Sequence, residues 1–157
     1  MNYYLSLDIF DGRNYLFVAD SEVSAVRRID LNKKIVQTIV GEGLYVFGYK
    51  DGFLDDARLQ HPLGIACQGN KIYIADTYNH AIRLIDLAEQ KVLIVIGKPE
   101  MTTMCNINDP SCETLGLYEP SDIKISGNHL CIADTNNHLI RIFDLEKRVL
   151  KTLPIKE

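Results

Sequence analysis

Aspartate and arginine recur at a fixed spacing in this chain, and their charges could support proton transfer or ion pairing. An Asp is followed seven residues later by an Arg in three places: Asp20 and Arg27, Asp76 and Arg83, Asp134 and Arg141. A catalytic group is needed once, whereas these pairs occur once in every copy of a repeat. We therefore interpret them as structural anchors that pair or cap the turns between strands.

Histidine offers a second possible chemistry, because its charge changes near neutral pH and it can act as a general base. Two of the copies contain a His between the anchors, in the stretches Tyr78-Asn79-His80 and Asn136-Asn137-His138. The first copy has Val23-Ser24 at the same place. No Ser, Cys or carboxylate partner for a histidine can be assigned from the sequence. We interpret the Asn-His pairs as turn formers, because Asn tolerates the left-handed backbone of tight turns.

The elements that position these residues are short strands. In the second copy, apolar runs at 64–68, 72–76, 82–87 and 92–96 are separated by turns rich in Gly, Asn and Asp. Such runs favour strands over helices, and four in succession form one blade of a propeller. The anchoring aspartates lie 56 and 58 residues apart. We predict an all-β fold, a single partial β-propeller domain over 1–157 with four-stranded blades at about 5–41, 62–97 and 120–155.

Two stretches resemble the repeat phrase of the NHL family. They are Ala75-Asp76-Thr77-Tyr78-Asn79-His80-Ala81-Ile82-Arg83 and Ala133-Asp134-Thr135-Asn136-Asn137-His138-Leu139-Ile140-Arg141. The connecting stretch 51–66 is similar to the subgroup in which an NHL propeller follows a thioredoxin-like domain. This chain has no Cys-x-x-Cys motif, so the resemblance does not carry a redox role to it. The resemblance implies NHL-type blades.

Two long connectors, 42–61 and 98–119, hold the residues in excess of an ordinary blade. In a meander blade, the turn between the second and third strands emerges on the same face as the connectors. Long ordered loops on a rigid scaffold are common binding sites. We therefore expect ligand contacts among Tyr78, Asn79, His80, Asn136, Asn137, His138 and the connectors. The alternative is that the connectors only fill the gaps between blades.

Inner strands line the axis of a propeller, and the alignment of the copies predicts that Asp8, Gly64 and Asp122 share one level there. Asp8 and Asp122 could hold Ca²⁺, although six or more oxygen ligands are normally required. Two function classes follow. The first is a non-enzymatic binding or scaffold module for a protein, peptide or small ligand, with no cofactor. The alternative is an axial-site enzyme of the metal-dependent lactonase or lyase type.

Four cysteines fall into two groups. Cys67 lies in an inner strand, and Cys131 lies in the position that Phe17 and Tyr73 hold in the other copies, so we expect both to be small buried apolar residues. Cys105 and Cys112 share one connector. They could close a disulfide in an oxidising compartment or remain two reduced thiols.

Charge and hydropathy bound the partners and the compartment. The net charge is −4, and no basic run is present for phosphate contacts, so we expect no nucleic-acid partner. No apolar stretch approaches the roughly 20 residues that span a bilayer, so we expect no membrane segment. The first residues lack the basic and apolar regions of a secretion signal. We expect a cytoplasmic protein.

Three blades cannot close a ring, since propellers typically have four to eight. The flanks of the first and third blades would then expose apolar surface. If the chain is complete, a two-fold homodimer would give six blades, with each chain forming half of the ring. If the chain is part of a longer protein, further blades would cover the same flanks.

Overall fold

The computed structural model of the chain describes residues 3–10, 13–99 and 116–154. These residues form three antiparallel sheets. The first contains β1 (Tyr3–Phe10), β2 (Arg13–Asp20), β3 (Ala25–Asp30) and β4 (Ile35–Val40). The second contains β5 (Gly52–Phe53), β6 (Pro62–Gln68), β7 (Lys71–Asp76), β8 (Ala81–Asp86) and β9 (Lys91–Gly97). The third contains β10 (Pro120–Ser126), β11 (His129–Asp134), β12 (Leu139–Asp144) and β13 (Val149–Thr152). The predicted all-β architecture of three blades is confirmed.

Each blade is a meander in which neighbouring strands follow one another along the chain. The second blade differs from the prediction by a fifth strand, because β5 pairs with the outer strand β9 through Gly52 opposite Val92. The connector between the first two blades supplies this strand. No helix in the described part of the chain is long and apolar enough to cross a membrane.

Two hydrophobic cores lie between the blades. The first buries Phe17 of the first blade against Ile65 and Ile72 of the second. The second buries Tyr73 of the second blade among residues that include Leu130 of the third. Full burial of such a side chain contributes about 1.5–3 kcal/mol. Packing between neighbouring blades therefore contributes to the stability of each blade.

Gly64 allows the inner strands of the second and third blades to approach each other. A Cβ atom at Gly64 would lie 2.5 Å from the Cα of Asp122 and 2.7 Å from the amide nitrogen of Ile123. These atoms are backbone and cannot move aside as a flexible side chain could. A residue without a side chain is required at this contact.

The inner strand of the first blade has a different register from the other two. Asp122 pairs with Ala133, whereas Asp8 pairs with Tyr15, and Tyr4 pairs with Ala19, the residue aligned with Ala133. Asp8 is thus displaced by four residues, about 13 Å at the rise of a strand. The prediction that Asp8 and Asp122 share one level of the axis is wrong. The reason lies in the sequence, where the hairpin signal Asp-Gly falls at 11–12, two positions earlier than Gly69-Asn70 in the aligned copy.

The prediction that both Cys67 and Cys131 are buried is also wrong. Cys131 is exposed and Cys67 is half-buried. Phe17 and Tyr73 hold the position of Cys131 in the first two blades. They are 0% and 4% exposed, because the next blade covers them. No described residue covers this face of the third blade. Cys105 and Cys112 lie outside the described residues.

Candidate functional site

Asp76 and Arg83 form a buried ion pair at the end of the second blade where the connectors emerge. Nη1 of Arg83 lies 2.9 Å from Oδ2 of Asp76, and neither side chain is exposed. Asp76 also accepts hydrogen bonds from the amide of Gln60 and from Nδ2 of Asn79. Burial raises the pKa of Asp76 to about 6, and the Arg83 charge and the hydrogen bonds oppose this rise. The carboxyl group is therefore ionised above this pH.

The same arginine attaches the connector to the blade. Nη2 of Arg83 donates to the carbonyl of Lys50 and to Oδ1 of Asp51, and Nη1 donates to the carbonyl of Arg58. The guanidinium also lies 4.9 Å from the centre of the Tyr49 ring. One buried side chain thus binds two stretches of the connector, 49–51 and Arg58, since the planar guanidinium offers several donors at once.

The third blade repeats much of this arrangement. Asp134 accepts hydrogen bonds from the amide of Tyr118 and from Nδ2 of Asn137, and Nη1 of Arg141 lies 3.9 Å from its Oδ2. Both charged side chains are fully buried. Burial raises the pKa of Asp134 above its usual value, against its hydrogen bonds and the Arg141 charge.

The first blade has the equivalent ion pair, but this pair is partly exposed to solvent. Nε of Arg27 lies 2.7 Å from Oδ2 of Asp20, while the Arg27 side chain is 35% exposed and also donates to Thr38. In the described chain, no connector lies over this pair. Burial of the anchors therefore follows from the connector and not from the blade alone.

The Asn-His turns have a geometry that corrects the sequence interpretation. The left-handed residues are His80 at φ 53° and His138 at φ 56°, with Ser24 at φ 50° in the first blade. Asn79 and Asn137 lie one position earlier, at the ends of the 3-10 turns Thr77–Asn79 and Thr135–Asn137. Both asparagines are buried, and their amides donate to the Asp anchor and to a connector carbonyl.

The left-handed residue also links one blade to the next. Oγ of Ser24 accepts the amide of His61, and Nδ1 of His80 accepts the amide of Glu119. His61 and Glu119 hold equivalent positions at the start of the second and third blades. Burial lowers the pKa of His80, against nearby acidic groups, so its ring favours the neutral form that can accept this bond.

An exposed apolar segment, 44–49, projects from the anchored connector. Tyr45 is 87% exposed, Leu44 and Phe47 are each 54% exposed, and Tyr49 is 40% exposed. We call Leu44, Tyr45, Phe47 and Tyr49 the aromatic segment. The amide of Asn79 donates to Gly48 within it, so the segment lies beside the turn of the second blade. Contiguous exposed apolar surface of this kind marks interaction sites.

A cleft of about 700 Å³ is lined in part by Gly41 and Glu42, which come just before the aromatic segment in the sequence. It lies between the first blade and the outer part of the second, and its lining residues include Arg28, Glu42, Phe53 and Asp55. Glu42 precedes Leu44 by two residues. The cleft and the segment are therefore joined through the same connector.

Family comparison agrees with this geometry. The NHL repeat model matches residues 59–83 and 117–143, which contain the buried anchors and both Asn-His turns. The chain is an NHL-repeat protein. NHL repeat-containing protein 2 of Homo sapiens is 38% identical over 160 residues, and that of Gallus gallus is 39% identical, each matching 96% of this chain. The chain spans 22% of the length of these two relatives.

A solved structure supports the fold of this NHL-repeat chain independently. A Bacteroides thetaiotaomicron protein of unknown function aligns with 87% of the chain and 32% of its own length, with a TM-score of 0.70 and 19% identity. At this identity the likeness concerns the fold alone. The relation to the thioredoxin-fused subgroup stays a prediction.

The six residues predicted to contact a ligand differ in accessibility. Tyr78 is 49% exposed, with its ring stacked on His61, and His138 is also exposed. His80 and Asn136 are half-buried. Asn79 and Asn137 are occupied by scaffold bonds. Sequence reasoning included the connector but did not single out the aromatic segment, although the run Leu-Tyr-Val-Phe-Gly-Tyr was the available signal.

Proposed function

We propose that the chain is a non-enzymatic binding module whose aromatic segment contacts a protein or peptide partner. The observation that carries the proposal is the contrast within one connector. Arg83 holds Lys50 and Arg58 of this connector to the blade, while Tyr45 and Phe47, just before Lys50, are among the more exposed apolar side chains. Aromatic side chains held ready on a rigid support bind with little loss of conformational entropy.

The chemistry of the surroundings indicates the partner. Apolar and aromatic anchors in a polar rim are the usual composition of a protein interface. The rim here includes Glu42, Lys50 and Asp55, all exposed. Lys50 is paired with Asp56 and Glu42 with Arg58, which leaves Asp55 without an ion pair among the described residues. We expect a segment that presents apolar side chains together with a basic group.

Peptide selection tests this proposal. Binders would be selected from a displayed library of random linear peptides and measured by fluorescence polarisation against the wild-type chain. The double variant Tyr45→Ser, Phe47→Ser should weaken the selected peptides at least about 30-fold, as expected when hot-spot aromatics are truncated. Leu93→Ser is the matched control, because Leu93 is 44% exposed but lies in β9. Equal binding by the double variant would contradict the proposal.

A further inference from the structure

The cleft between the first two blades has a charged residue on each of its two walls. One wall belongs to the first blade and consists of Arg28 in β3 and residues 37–39 in β4. The other wall consists of residues 53–55 of the connector, with Leu87 and Gln90 of the second blade beside them. The volume of about 700 Å³ lies within the range of about 300–1,000 Å³ that is usual for ligand sites.

Arg28 departs from the pattern of the repeat. The aligned residues are Leu84 in the second blade and Ile142 in the third, so the repeat itself does not require a charge at this position. The guanidinium of Arg28 lies 4.8 Å from the centre of the Tyr15 ring, and its Nη2 donates to Oε1 of Gln37 at 2.7 Å. These contacts orient the guanidinium and use one of its five N–H donors. Donors therefore remain for a ligand.

Asp55 supplies the opposite charge on the connector wall. Its side chain is exposed, and among the described residues neither Asp55 nor Arg28 has an ion-pair partner. The third charged residue of the lining, Glu42, is paired with Arg58 at 3.4 Å. A ligand with a single charge would be attracted by one wall and repelled by the other. The cleft is therefore complementary to a ligand that carries both a cation and an anion.

The length of the cleft indicates how much of a peptide it can hold. Its β4 wall continues from Gln37 to Gly41, which is about 13 Å at the rise of a strand. An extended peptide advances at the same rise, so about four residues fit along this wall. Phe53, which is 59% exposed, and the half-buried Leu54 provide apolar contact between the charged positions. Gly41 lies at the end of the wall that leads to the aromatic segment.

We propose that the cleft binds an extended stretch of about four residues with one basic and one acidic side chain, the basic one at Asp55 and the acidic one at Arg28. This inference rests on the proposed function, because the same peptide continues past Gly41 onto the aromatic segment. It adds a second subsite and a charge pattern that the aromatic segment alone does not select.

Peptides selected from a displayed library of random octapeptides test the inference. Binders of the wild-type chain should combine a basic and an acidic residue within about four positions more often than the unselected library does. The strongest binder is then measured by fluorescence polarisation against Asp55→Asn and Arg28→Leu. Each variant should bind it at least about fivefold more weakly, because a hydrogen bond to a charged group is lost.

The variants are chosen to keep the fold. Asp55 is exposed, and Leu is the residue that the second blade has in place of Arg28. Thermal melting checks that both variants are folded. Glu89→Gln and Lys33→Leu are the matched controls, because each removes an exposed charge that does not line the cleft. Both controls should bind the peptide as the wild-type chain does.

A double-mutant cycle assigns each peptide charge to its wall. Alanine in place of the basic peptide residue should weaken binding to the wild-type chain at least about fivefold, but binding to Asp55→Asn by less than about twofold. Alanine in place of the acidic residue should show the same relation with Arg28→Leu. Equal losses in the wild-type chain and the variants would overturn the assignment.

The results separate this inference from the proposed function. A peptide that needs Tyr45 and Phe47 but binds Asp55→Asn and Arg28→Leu unchanged would overturn the inference and leave the proposed function standing. A peptide that needs the cleft charges but not the two aromatic residues would support the cleft site and contradict the proposed function. Absence of any binder would contradict both. Self-association of the chain that is lost in Asp55→Asn would place a second copy in the cleft and overturn the inference.

Discussion

The guanidinium of Arg83 and the carboxylate of Asp76 lie 2.9 Å apart with no exposure of either side chain. The aligned pair Asp20 and Arg27 is closer, at 2.7 Å between Nε and Oδ2, but is partly exposed. The two pairs have similar distances and differ in their exposure to solvent. We therefore expect the buried pair, which the connector covers, to contribute more to stability than the exposed pair.

Arg83→Met should lower the free energy of unfolding by about 3–5 kcal/mol, because it leaves a buried carboxylate without its partner. Arg27→Met is the matched control. Its pair is accessible to water, so its loss should cost at most about 1 kcal/mol. Chemical denaturation of both variants measures the difference. Similar values for the two would contradict the role of the connector.

Gly64→Ala should destabilise the chain by about 1–3 kcal/mol, as overpacking does in well-packed interiors. The added methyl would meet the backbone of Asp122 and Ile123. Hydrogen exchange should show lost protection in β10 as well as in β6. Ser126→Ala is the control, because Ser126 is an exposed residue at the end of β10, and it should change stability by no more than about 0.5 kcal/mol. An unchanged β10 in Gly64→Ala would show that the two strands are less close than described.

The pH dependence of stability should report on His80. Burial holds the pKa of His80 below its ordinary value of 6.5, so the folded state binds fewer protons than the unfolded state. Its contribution is then present at neutral pH and is lost as the pH falls through 6.5 towards the folded pKa.

His80→Asn isolates this effect, because Asn accepts a hydrogen bond, tolerates the left-handed conformation and does not titrate. Denaturation midpoints from about pH 7.5 to about pH 5 should fall further in the wild-type chain than in the variant. Parallel curves would exclude His80 as the titrating group.

Much of the fold could be predicted from the sequence, because each repeat consists of apolar runs that favour strands, separated by residues that favour turns. Alignment of Asp76 with Asp134 located the blades, and the Asn-His pairs located the turns. Alignment could not reveal register, because a hairpin signal two positions earlier moved Asp8 along its strand without changing the anchors.

Alignment of the repeats also could not predict which residues of the third blade are buried. Cys131 was assigned the environment of Phe17 and Tyr73, but that environment is made by the next blade and not by the residue's own strand. The candidate site was predicted at the level of the connector. The sequence alone could not show that Tyr45 and Phe47 are exposed while Arg83 holds the neighbouring Lys50 to the blade.

Hydrogen exchange of the chain with and without its strongest selected peptide tests the central claim most directly. The claim is that the aromatic segment is the binding surface and that the blade holds it in place. We expect new protection at 42–51, with smaller changes at the adjacent turn 77–80. Protection confined to the short turns at the opposite end of the blades, 69–70 and 88–90, would contradict the claim.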